Sequence, residues 1–118
     1  MASLTVFMAA MLGFLAVALG AFGAHGLKAS LSTEMMAVYQ TAVQYHFYHC
    51  LALLVVGLLM HSGVQHLSLR IAAVLFFLGV LVFSGSLYAL AITEIKILGA
   101  ITPIGGLMFL IAWACLAY

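Results

Sequence analysis

Charge is nearly missing from this 118-residue sequence: three Lys/Arg and two Asp/Glu leave a formal net charge of +1. So weak a field attracts neither nucleic acid nor anionic substrates, and nucleic-acid binding is set aside. Proline occurs once, at Pro103, and no carboxylate interrupts a long apolar run, since Glu34 and Glu94 both fall at run ends. The interior of the chain therefore lacks a carboxylate to serve as acid, base or orienting group. HExxH, CxxC, GxSxG and phosphate-loop patterns are also missing, which leaves only His, Tyr and Ser for any catalysis and favours a non-enzymatic reading. The two cysteines, Cys50 and Cys115, sit in apolar runs and read as small buried hydrophobes rather than a disulfide or metal pair. The first run, MASLTVFMAAMLGFLAVALGAFGA, has no positive n-region and reads as a retained helix rather than a signal peptide.

What the sequence does contain is hydrophobic: 69% of its residues are apolar and the mean hydropathy is +1.39. Polar residues are too few to cover one face of each helix, so the expected solvent is lipid. Breaks in the apolar pattern predict four helices, over about residues 4–24, 36–60, 68–92 and 97–118, each near the ~20 residues that cross the hydrocarbon. Connections as short as HGLKASLSTEM, HSGVQHL and TEIK force neighbours to run antiparallel. The expected fold is all-α, one antiparallel four-transmembrane-helix bundle spanning residues 1–118.

Topology then sorts residues by leaflet. The first and third connections share one side of the membrane, called here the odd-loop side, with Lys28, Glu34, Glu94 and Lys96; Arg70 lies on the other. This split gives no orientation under the positive-inside rule. Polar residues within the spans gather toward the odd-loop side: His25 closes helix one, TAVQYHFYHC fills the first half of helix two, Ser84, Ser86 and Tyr88 end helix three, and Thr102 opens helix four. At ~1.5 Å per residue, His49 falls near the midplane. At roughly 100° per residue Tyr45 and His49 share one face, whereas Tyr39 and His46 form a second stripe about 100° away. A lipid-facing imidazole is costly, so Tyr45 and His49 are expected inside the bundle, with His49 near Ser84 or Tyr88. His25, Tyr45, His49, Ser84, Ser86, Tyr88 and Thr102 form the candidate pocket, while Ser84, Ser86, Gln40 and Gln44 also read as interhelical glue.

Small residues set the packing surface. Ala9, Gly13, Ala16, Gly20 and Gly23 recur at spacings of four and three, a seam that admits a neighbouring backbone. Gly85, Gly105 and Gly106 join the packing set with Pro103, which either kinks helix four or follows Thr102 as its first residue. The second option leaves only about 16 residues to span, so a kink is expected. Met8, Met11, Met35, Met36, Met60 and Met108 spread over both leaflets and read as gap-fillers, not a copper site. His61 and His66 read as solvated loop residues, and no metal site is expected.

The segments GAFGAHGL, TAVQYHFYHCLALL, FSGSLYAL and GAITPIGGLMFLIAW resemble the small bacterial membrane proteins grouped as domain of unknown function 423, whose eukaryotic relatives include transmembrane protein 256. The resemblance covers all four helices and implies a multi-pass inner-membrane protein with no established activity or cofactor. Its signature coincides with His25, Tyr45, His49, Ser84, Gly85, Ser86, Tyr88, Thr102, Pro103, Gly105 and Gly106. Many such relatives read YQFYH where this chain reads YHFYH, so His46 departs from the pattern.

Three functional readings follow. The first is a non-enzymatic protein that binds or transports a small ligand through a polar pocket open to the odd-loop side. The second is a b-type haem protein ligated by His25 and His49. The third is an assembly partner, docking a second copy or another membrane protein along the small-residue seam.

Overall fold

Apolar length becomes helix along nearly the whole chain. The structure is a computed structural model and describes residues 2–118. Four helices are long and apolar enough to cross a membrane: α1 (Ala2–Leu27), α2 (Thr33–His61), α3 (Leu67–Thr93) and α4 (Lys96–Ala117). The principal extents are 47 × 26 × 17 Å, and the longest is close to the ~40–45 Å of a bilayer with its headgroups. Large side chains that a soluble protein would bury, such as Phe14, Leu107 and Leu110, point outward. Lipid is the solvent that makes this favourable, and the chain is an all-α membrane protein.

Helix ends follow local chemistry. Ser32 caps α2, its Oγ accepting from the Met35 N–H at 3.1 Å, as an N-cap serine should. The other end of α2 closes on Gly63 at φ 105°. The Val64 N–H donates to Leu59 O and the Gly63 N–H to Met60 O, a Schellman closure whose left-handed residue glycine supplies without strain. Two stretches depart from α winding: α1 ends in a π turn, Gly23–Leu27, and Val80–Ser84 is a π segment inside α3.

The sequence-based kink at Pro103 is corrected. Lys96–Ala100 forms a 3₁₀ turn, and the α-helical part of α4 then starts at Thr102, with Pro103 in its first turn. Proline is tolerated there because that N–H has no intrahelical partner. The α-helical part is indeed 16 residues long, but the preceding 3₁₀ turn extends the span to 22.

Helix α1 packs along α2, α2 along α3, and α3 along α4. The small-residue seam of α1 faces α2: a Cβ on Gly13 would lie 3.7 Å from Cys50 Sγ, one on Gly20 3.3 Å from Val43 Cγ1, and one on Gly23 would run into the Tyr39 ring. Gly57 answers from α2, where a Cβ would come within 3.1 Å of the Val6 backbone nitrogen. Between α3 and α4 the backbones come close at Gly105, whose added Cβ would lie 2.5 Å from Phe83 N. Gly106 packs on the Phe83 ring more loosely, but a Cβ on Gly85 would meet nothing within 4 Å, so its place among the packing glycines is corrected. The core between α2, α3 and α4 centres on Leu53, Val56, Ala72, Phe76 and Phe109.

Candidate functional site

The polar side chains of the odd-loop half act as ties between helices. Ser84 Oγ donates to Ala42 O at 2.8 Å and thereby sets the α2/α3 register. One turn toward the odd loops, Tyr88 leans back along α3, as side chains in helices do. Its hydroxyl reaches His46 Nδ1 at 2.8 Å, and its ring tilts against Tyr39 with centroids 5.3 Å apart. The Tyr39 hydroxyl in turn donates to Leu19 O on α1. On the far side of α3, Ser86 Oγ donates to Phe83 O at 2.8 Å and shares a hydrogen bond with Thr102 Oγ1 at 2.6 Å. Leu19, Tyr39, Tyr88 and His46 thus link three helices, and Ser86 joins the fourth.

His49 is buried, but not where the sequence reading put it. From the Ala42–Ser84 contact, seven residues down α2 correspond to about seven back along antiparallel α3, which brings His49 level with Phe76. Its ring is 5.9 Å from Phe76 and stacks on Phe109 at 3.6 Å between centroids. Trp113 Nε1 donates to His49 Nε2 at 3.1 Å. Nε2 is therefore the acceptor, and Nδ1 carries the proton that it donates to Tyr45 O at 2.7 Å. Both nitrogens are satisfied, which explains how an imidazole is tolerated near the midplane. Tyr88 pairs with His46 instead.

Tyr45 is 38% exposed, whereas His46 is buried at 3%. Helix α2 is flanked by α1 as well as by α3 and α4, so its buried arc is wide enough to hold both histidines, about 60° apart, with Tyr45 on its edge against Phe83. The sequence reading missed His46 because it assumed one buried face. His46 Nε2 is buried with no hydrogen-bond partner among the described residues.

His25 is a second correction. It is exposed on the π turn that ends α1, where the chain emerges from the bundle, so it does not join the cluster. With His49 occupied at both nitrogens, the two imidazoles do not form an axial pair for haem. Ser84, Ser86, Tyr88 and Thr102 also spend their hydrogen bonds on other helices. The seven expected residues do not line one cavity.

A different site lies in the outward crease between α1 and α2. A cavity of about 390 Å³ is floored by Gly20, Gly23 and Ala24 of α1 and walled by Met36, Tyr39, Gln40, Val43 and Gln44 of α2. Neither Gln40 nor Gln44 hydrogen-bonds to any described residue, so they are not the interhelical glue expected of them. At ~1.5 Å per residue α2 is about 43 Å long, longer than the ~30 Å hydrocarbon. Gln44, ~16 Å from the start of α2, then lies well below the headgroups. A carboxamide without partners in hydrocarbon costs about 4–8 kcal/mol on the alkane scale. The glycine floor helps leave this face open, since a side chain at Gly20 would narrow it.

Comparison with known proteins places the chain among membrane proteins. A family profile described as "Protein of unknown function (DUF423)" matches residues 19–106. A UPF0382 membrane protein of Staphylococcus haemolyticus is 49% identical over 113 residues, covering 96% of this chain and 91% of the relative. The UPF0382 membrane protein YwdK of Bacillus subtilis is 49% identical over 110 residues, covering 92% and 88%. No solved structure matches.

Proposed function

We propose, for a chain that belongs to the DUF423 family of membrane proteins of unknown function, that it is a non-enzymatic, multi-pass protein of the plasma membrane that binds a small amphipathic ligand in the α1–α2 crease. The observation that carries this reading is the pair Gln40 and Gln44, two carboxamides one turn apart, neither hydrogen-bonded to any described residue, in the wall of a cavity open to lipid. Polar groups at membrane depth must find partners, and a ligand with its own donors or acceptors supplies them. The His, Tyr and Ser side chains of the interior support the same division of labour. They are paired across helices, so they hold the bundle around the crease instead of forming the site.

Gentle detergent extraction followed by native mass spectrometry tests the reading. The wild-type chain should carry a small bound amphiphile, and Gln44→Leu should lose most of it while remaining monodisperse. Equal adducts on both proteins, or a bare wild type, would refute the reading. A wild-type dimer that Gln44→Leu separates would instead assign the crease to a second copy, the assembly-partner alternative.

A further inference from the structure

We infer that the crease selects an anionic phospholipid, with its phosphate at Lys28, an ester carbonyl on Gln40 or Gln44, and one acyl chain laid along α1 and α2. This inference rests on the ligand-binding reading above and names its ligand class.

The basis is a run of three adjoining cavities whose character changes along the crease. The uppermost, about 370 Å³, is lined by Lys28, Leu31, Thr33 and Ala37, and it meets the middle cavity at Met36 and Gln40. The lowest, about 340 Å³, shares Gly20, Val43 and Gln44 with the middle one and continues past Ala16, Val17, Phe47 and Tyr48. One continuous crease therefore offers a cation at the headgroup level, then two carboxamides, then an apolar slot. That order matches a phospholipid read from phosphate through ester to chain.

Charge and length agree with this occupant. Lys28 is the cation that lines the upper cavity, and Glu34, one residue into α2, does not line it. Thr33 places the N-terminal turn of α2 beside the same cavity, where backbone N–H groups favour an anion. Lys96 and Glu94 belong to the α3–α4 connection and line no part of the crease. From Gln40 to Tyr48 the crease covers ~12 Å, against the ~15 Å depth of one leaflet's hydrocarbon. The carboxamide NH₂ groups donate to ester carbonyls, which accept and cannot donate. Hydrocarbon tails alone would leave both glutamines unsatisfied.

The test uses the full chain in mild detergent, titrated with phosphatidylglycerol or with phosphatidylcholine of the same acyl chains, and bound lipid counted by native mass spectrometry. Phosphatidylglycerol should be retained about fivefold more strongly, the effect of one lysine near an anionic group. Lys28→Gln, an exposed position, should remove that preference while a lipid still binds. Gln44→Leu, and independently Gln40→Leu, should weaken both lipids by severalfold. Inorganic phosphate at millimolar concentration should displace neither. Equal retention of the two lipids, an unchanged preference in Lys28→Gln, or displacement by inorganic phosphate would overturn the anionic-lipid inference while leaving the crease as a binding site. Lipid retention indifferent to both glutamine variants would overturn the inference and the crease reading together.

Discussion

Gly105→Ala isolates the contact that sets the spacing of α3 and α4. A methyl built there lies 2.5 Å from Phe83 N and 2.7 Å from Phe83 Cα and Cβ, whereas carbon contacts are most favourable near ~3.5–4 Å. The two helices would have to part by about 1 Å. Neither is free to do so. The Phe83 ring stacks on Tyr45 at 4.7 Å, and Phe109, one turn from Gly105, stacks on His49 at 3.6 Å. Phe109 also fills the space over Gly79, where a Cβ would lie 2.6 Å from its ring. Overpacking of this kind costs ~1–3 kcal/mol, about 5- to 150-fold in the unfolding equilibrium. Replacing glycine by alanine in a helix also returns up to ~1 kcal/mol of propensity, which obscures the effect in a single variant. Gly85→Ala cancels that gain, because its Cβ meets nothing within 4 Å. The difference between the two variants therefore reports the packing clash alone. Unfolding by SDS in mixed micelles, followed through the single tryptophan, Trp113, which touches His49 and Phe76, should separate Gly105→Ala from Gly85→Ala by ~1–3 kcal/mol. Equal midpoints would refute the close approach at Phe83.

Three further outcomes follow from the interior ties. Tyr88→Phe removes the partner of His46 Nδ1 and leaves both ring nitrogens unpaired, so it should destabilise the wild type by ~1 kcal/mol. The same change in a His46→Leu background should cost less in the same titration. The ¹⁵N shifts of His49 should show the Nδ1–H tautomer imposed by the Trp113 donor, and Trp113→Phe should perturb them; a protonated Nε2 in the wild type would contradict the assigned geometry. Gly23→Ala should lower the monodisperse yield, because its Cβ meets a Tyr39 ring fixed by Leu19 O. Gly13→Ala, 3.7 Å from a thiol, should behave as wild type in size-exclusion chromatography.

The membrane fold was legible because composition and run length leave lipid as the only workable solvent. Helix phase was legible only as far as the number of neighbours could be guessed. Treating α2 as having one buried face put Tyr45 inside and His46 outside. With α1 on one flank and α3 and α4 on the other, the buried arc takes in both histidines. Depth was misread for a related reason: residues at similar distances from the odd loops were grouped as though they met. The antiparallel Ala42–Ser84 register instead pairs His49 with Phe76, and Trp113 reaches it from far along α4. A half-exposed aromatic donor such as Trp113, 45% accessible, offers no sequence signal of its own when every span carries several aromatics.

The glutamines show the limit most directly. Gln40 and Gln44 lie one turn apart in a polar-rich stretch, and from sequence their most economical role is to bind a neighbouring helix, as Ser84 does. Which role holds depends on their angle to the helix that packs there. Helix α1 meets α2 along Tyr39, Val43 and Cys50, and Gln44 falls roughly 100° from Val43, so the contact is spent before the carboxamides are reached. The glycines of α1 were read as a seam for close packing. At Gly20 the same missing side chain both admits Val43, whose Cγ1 would lie 3.3 Å from an added Cβ, and opens the crease beside it. Gly20→Leu should therefore have two separable effects: a lower monodisperse yield from the clash with Val43, and loss of bound lipid in whatever folds. Gly20→Ala, small enough for Val43 to accommodate, should fold and still narrow the crease. If Gly20→Ala binds lipid as the wild type does while Gly20→Leu merely misfolds, the glycine serves packing alone and the crease floor lies elsewhere.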